Sequence, residues 1–252
     1  MLGTIEILYK NNDDRLYNRI VEHLNIYSEE DTEHISKASW ENDDSLSPLR
    51  KVTCYSIYYH SSNWGRIWCT SITVDLRLLF QIKDYYPVPA ARVHEMENRI
   101  NQLFDQFFGF DIKTYLPDIL GNDLLDQRIS YLEYMVYIKN VEADRLIKKL
   151  ERAYFAEKQL DPQYFDRYWI RSATPAFTIN KIDEETVRLC IKCKETAIKT
   201  MFRTITDSNS GVSNKYLFDK DNAIDAFCKQ IKKYTKPLVF EELRKEVIQQ
   251  FI

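Results

Sequence analysis

Glycine and proline are scarce, five and seven of 252 residues. A collagen-like or loop-dominated disordered chain is excluded, because such chains need these residues in bulk. No apolar run approaches the roughly 18 residues of a membrane span. Met1-Leu2-Gly3-Thr4 passes directly into a strand-like run, without a basic segment or a cleavage site. The expectation is a cytoplasmic protein with no membrane partner. An excess of positive charge is missing too: 35 Lys+Arg stand against 38 Asp+Glu, a net charge of −3. That counts against a chain that wraps DNA by overall charge. It leaves local basic stretches at Lys148-Lys149 with Arg152 and from Lys229 to Lys236.

Histidine is sparse as well. His23, His34, His60 and His94 fall at none of the paired spacings of histidine metal sites. His60, closing a strand-like run, is the best single candidate ligand. There is no phosphate-cradling glycine loop and no G-x-S-x-G elbow. The five cysteines, Cys54, Cys69, Cys190, Cys193 and Cys228, are odd in number and widely spaced, which does not suggest a disulfide framework in a chain this long. Cys190 and Cys193 form a C-x-x-C, but in a strand residues three apart face opposite sides, and no second Cys/His pair stands at zinc spacing. Buried free thiols are expected.

What is present is an apolar fraction of 44% and a charged fraction of 29%, enough for a sizeable core in one domain or two joined halves. A weak repeat organises it. IEILYKNNDDRLYNRIVEHL (Ile5–Leu24) and LEYMVYIKNVEADRLIKKL (Leu132–Leu150) each read as a strand, an acidic turn and a helix opening on Asp-Arg-Leu. Two further strand-like runs and another helix follow each copy. The alternation predicts strands at 4–9, 51–60, 66–75, 128–138, 174–182 and 186–194. Helices are predicted at 14–25, 90–108 and 141–158, with two more at 219–234 and 238–251 separated by Pro237. Residues 28–50 read as an exposed polar insertion, and 206–214 as a linker. The predicted class is α+β: duplicated βαββα halves forming a largely antiparallel sheet with helices on one face, plus a C-terminal helical appendage. The core would span 1–205, with halves of about 1–120 and 125–205, and the appendage 215–252.

Candidate chemistry is dispersed. Asp75 and Glu133 lie in strand-like runs, where carboxylates on neighbouring strands can hold Mg²⁺ or Mn²⁺. Glu6 and Glu133 occupy matching places in the two repeats, which a shared solvent-facing position also explains. Tyr164 and Tyr168 are four apart and on one face if helical, so that each could attack a phosphodiester polarised by a divalent metal. A structural aromatic patch is the competing reading for these two, as for most of the seventeen tyrosines.

The order of ITVDLRLLF (Ile72–Phe80), QRISYLEYMVYI (Gln127–Ile138), FTINK (Phe177–Lys181) and VRLCIKCKETAIK (Val187–Lys199) resembles the rolling-circle replication initiators of filamentous phages and small plasmids. In that family an R-I-D strand, a Y-N-K segment and an R-x-E-x-K strand follow in the same order. Arg128-Ile129 resembles the first, with Ser130 where the acid is expected. Asn180-Lys181 resembles the second, with Ile179 in place of tyrosine. Arg188 and Lys192 resemble the third, with Cys190 replacing the carboxylate. The resemblance covers about residues 1–203. It implies a DNA replication initiator that binds single-stranded or hairpin origin DNA. Such a protein nicks one strand through a tyrosine with a divalent metal, Mg²⁺ or Mn²⁺. The implied residues are Tyr164, Tyr168, Tyr216 and Lys181 for catalysis, Arg128, Lys181, Arg188 and Lys192 for DNA, and Asp75, Glu133 and His60 for the metal. Two alternatives stand beside it: a non-catalytic DNA-binding or protein-interaction module on the same fold, and an RNA-processing protein on a ferredoxin-like duplication.

Overall fold

In a computed structural model the chain is described at residues 2–11, 13–26, 29–30, 36–59, 65–81, 93–115, 128–148 and 176–194, and at positions 224, 225, 228, 229, 232, 241, 243–245 and 248. Its elements are β1 (Leu2–Asn11), α1 (Arg15–Leu24), β2 (Glu29–Glu30), β3 (Ser36–Glu41), β4 (Leu49–Tyr59), β5 (Gly65–Asp75), α2 (Leu76–Leu79), α3 (Val93–Phe108), β6 (Arg128–Ile138), a helical stretch α4 at 143–148, β7 (Ala176–Lys181) and β8 (Val187–Lys194). A short 3-10 turn covers Ile112–Tyr115. The described positions from 224 onward are helical. Every described strand pairing is antiparallel, so the class is α+β. Contacts divide the chain into two units, one of Thr4–Ile82 with Arg92–Ser130, the other holding Tyr131 onward together with Gly3.

In the first unit the strand order is β2-β3-β4-β5-β1. β4 and β5 form the expected hairpin, and β1 returns to pair with β5, Ile7 opposite Ile72. The side-chain period of two puts Ile5, Ile7, Val52, Ile72 and Val74 on one face, all fully buried. α1 covers part of this unit with Leu16, Tyr17 and Ile20, spaced three and four apart as one face of a helix requires. It ends at Asn25, whose left-handed backbone (φ 49°) returns its N–H to the carbonyls of Val21 and Glu22. α3 buries Met96, Ile100, Phe104 and Phe108, each worth about 1.5–3 kcal/mol relative to exposure. Leu103 and Phe107, each one position before a buried phenylalanine, are only half-buried. His23 lies against the end of α3. Its Nε2 is 2.8 Å from the Phe107 carbonyl, and since a carbonyl only accepts, that nitrogen carries the proton. Gly109 (φ 67°) follows α3 as its left-handed cap and donates to the Asp105 carbonyl.

Part of the expected polar insertion is strand. β3 pairs along β4 with Ala38 opposite Cys54, and Ala38 is buried while Lys37 and Ser39 are exposed. Ala38 and Trp40 alternate with Lys37, Ser39 and Glu41, a period of two that is short and set in a polar stretch. Leu49, also placed in the insertion, is fully buried in β4. It stands opposite Val74 while Lys51 stands opposite Thr73, which leaves Arg50 as the extra residue of a bulge.

In the second unit the order is β6-β8-β7. β7 and β8 form the second expected hairpin across Asp183, Glu184 and Glu185, and β6 pairs with β8. Gly3 belongs to this unit. A Cβ there would come 2.1 Å from the Met135 Cε and 3.0 Å from the Glu133 Oε2, so only glycine fits without moving them. No described helix is long and apolar enough to cross a membrane.

Candidate functional site

Alternation along β6 and β8 separates two faces of the second unit. Leu132, Tyr134, Val136 and Ile138 lie with Val187, Leu189, Ile191 and Cys193 on one, all at most 1% exposed. The other is polar. There Glu133 is opposite Lys192, Met135 opposite Cys190 and Tyr137 opposite Arg188, and Asn180 of β7 stands beside Arg188. The strand periodicity thus brings Arg188, Cys190, Lys192 and Lys194 onto the same side as Glu133 and Asn180. The resemblance implies Arg188 and Lys192 for DNA, Glu133 is a candidate metal ligand in the sequence, and the three stand on this one face.

Cys190 occupies the centre of this face. It is 1% exposed and its thiol donates to the Glu133 Oε1 at 2.8 Å. Burial pushes its pKa well up, the Glu133 carboxylate adds to this, and Lys192 and Arg188 offset part of it. The sulfur therefore stays a neutral S–H donor. Arg188 contributes a second polarity: its Nε is shielded from solvent and has no hydrogen-bond partner. A guanidinium N–H in that state favours an oxygen acceptor, above all an anionic one.

The other sequence candidates are placed elsewhere or lie outside the described residues. Asp75 is 3% exposed and caps α2, accepting from the backbone N–H of Arg77 (3.0 Å) and of Leu78 (3.5 Å). The same carboxylate accepts twice from the Arg77 guanidinium, at 3.1 and 2.7 Å. Lys181 faces away from the polar face, with its ammonium bonded to Asp144 at 3.0 Å and Glu184 at 2.8 Å. Those carboxylates, Glu184 foremost, raise its pKa and hold it charged. Ser130, where the family pattern expects an acid, bonds the Glu6 carboxylate and backbone carbonyl instead. His60, Tyr164, Tyr168 and Tyr216 lie outside the described residues, as does the side chain of Arg128 at the start of β6.

Among the described residues no three His, Cys, Asp or Glu side chains gather where a metal ion could be held. Asp75 is engaged by Arg77, and Glu133 by Cys190. The cysteines are all free, as the sequence suggests. Cys190 and Cys193 lie on opposite faces of β8, so the C-x-x-C is not a ligand pair. Cys54, Cys69, Cys190 and Cys193 are buried, while Cys228 is only partly covered. Burial pushes Cys54 up to about 12, and Cys190 and Cys193 also upward. Because the thiolate is the reactive form, alkylation of the folded protein at pH 8 should modify Cys228 first. The four others should react only after denaturation. Rapid labelling of several thiols, read by intact mass, would contradict this placement.

No protein-family model matches the chain, and no curated protein matches it.

Proposed function

We propose that the chain is a nucleic-acid-binding protein of the rolling-circle-initiator type, built on two βαββ halves and holding DNA without cleaving it. Support for the duplication is topological. In each unit a strand is followed by a helix and then a hairpin whose second strand pairs with the first, giving β4-β5-β1 in one and β7-β8-β6 in the other. The polar face of β6 and β8 is the DNA-binding surface in this reading, and the helical positions beyond residue 224 form the C-terminal appendage.

The observation that carries the reading is Arg188. Its guanidinium stands four residues from Lys192 on the same face, and these two partly exposed cations suit phosphate oxygens. Binding without cleavage follows from the replaced acids: Cys190 is a neutral hydrogen-bond donor to Glu133, and Ser130 is a partner of Glu6. A metal-dependent tyrosine transferase needs carboxylates free for the metal.

The test is incubation with labelled single-stranded and hairpin DNA plus Mn²⁺. Half of each sample goes to a binding assay and half to a denaturing gel. Expected is binding that weakens with salt, with a log–log slope of roughly −1.4 for two phosphates held on a single strand, and no covalent adduct. A protein–DNA adduct would replace this reading by the active initiator. No binding at low salt would remove nucleic acid altogether.

A further inference from the structure

The first unit has a polar row at one end of a largely apolar buried layer, beyond Thr70, whose hydroxyl lies 3.8 Å from the Cys54 sulfur. Leu49 and Ile5 flank Val74, and Val52 and Ile7 flank Ile72, all fully buried. Towards the other end of the strands the row becomes Asn11, Trp68 and Ser56, with Trp68 opposite both. Asn11 is 4% exposed and Ser56 0%. The Asn11 amide donates through Nδ2 to the Tyr115 carbonyl at 3.0 Å, but its Oδ1 has no hydrogen-bond partner, and neither has the Ser56 Oγ. Trp68 between them is packed by Tyr17, ring centroids 4.5 Å apart, and by the Arg66 guanidinium 4.1 Å from its centroid.

Two buried oxygens in one row, each lacking a partner, need an explanation, because native interiors satisfy such groups with protein or with ordered water. They cannot satisfy each other: two strand spacings separate their backbones by about 9.5 Å. We propose that this row is an internal hydration site, with one ordered water donating to the Asn11 Oδ1 and a second held by the Ser56 Oγ, on either side of Trp68. The ligand must be small, since both atoms are sealed from solvent. It must also donate to an amide oxygen and both donate to and accept from a hydroxyl, and water does all three. The site lies in the first unit and is independent of the DNA-binding reading.

The test is a high-resolution crystal structure of the full chain beside thermal melts of the wild type and Ser56→Ala. Expected is ordered water density within hydrogen-bond reach of both oxygens, with the water at residue 56 lost in the variant. The melting temperature should fall by about 2–4 °C, because a satisfied hydroxyl has been removed. If the hydroxyl is unsatisfied, its removal should instead leave the melting temperature unchanged or raise it. That result, or a wild-type map without density at these two atoms, overturns the proposal.

Discussion

Replacing Arg188 with alanine should weaken single-stranded DNA binding by about 10- to 100-fold, with little change in stability. The figure follows from the roughly 1.5–3 kcal/mol of a hydrogen bond to a charged group, at 1.4 kcal/mol for each factor of ten. The salt slope should become shallower by about 0.7 for one lost phosphate. Arg188→Lys should recover only part of the affinity, because an ammonium is a point charge and lacks the planar fork of donors that a guanidinium offers to phosphate. Glu133→Gln should act in the opposite direction. It removes the single carboxylate that the described polar face sets among Arg188 and Lys192, and a phosphate arriving there is then no longer repelled. Fluorescence anisotropy over a salt series reads all three. Unchanged affinity in Arg188→Ala would show that the face opposite the Leu132 core is not the one that holds DNA.

Replacing Asp75 with alanine should destabilise the protein by about 2–4 kcal/mol. The sum combines the loss of an N-cap, about 0.5–2 kcal/mol, with the breaking of a largely buried ion pair. The carboxylate side chain is 4% exposed and the Arg77 side chain 32%, so water reclaims part of the guanidinium and the pair contributes about 1.5–2 kcal/mol, below the roughly 3–5 kcal/mol of a fully buried pair. Asp75→Asn keeps an oxygen to cap α2 and should lose less. Urea unfolding measures both. A loss under 0.5 kcal/mol for Asp75→Ala would mean that the carboxylate is not held by Arg77 in solution and is available as a ligand.

Legibility in the sequence followed the strength of the period. β1, β4, β5, β6, β7 and β8 are strongly β-branched or aromatic, and each lies within a few residues of where the pattern puts it. Both hairpins are equally plain, because Gly65 in one and the Asp183–Glu185 turn in the other interrupt apolar runs. β3 was less legible because its Ala38–Trp40 alternation is only two apolar residues long and lies within a polar stretch. The site was legible in part. Arg188 and Lys192 share a parity on one strand, and strand geometry alone puts them on one face. What the chain order could not show is partnership. Asp75 looks like a free strand-end acid until Arg77, two residues on, is seen to fold back on it. Lys181 has the opposite parity to Arg188 counted across the hairpin, and register sends it to Asp144 and Glu184. The Asn11–Trp68–Ser56 row joins residues from three distant segments and leaves no local signal.

The antiparallel return of β1 has a consequence for synthesis. Thr4 pairs with Asp75, 71 positions later, and Asn11 with Trp68, 57 later. At translation rates of about 5–20 residues per second, β1 waits roughly 4–14 s before the whole of its partner strand has been made. Throughout that interval the apolar side chains of Ile5 and Ile7 have α1 to shelter against and no strand to pair with. The β4–β5 hairpin, by contrast, closes Tyr59 onto Gly65 almost as soon as both exist. Within the first unit the nascent chain should therefore acquire protection at the β4–β5 hairpin first, with the older β1 becoming resistant later to a protease added during translation.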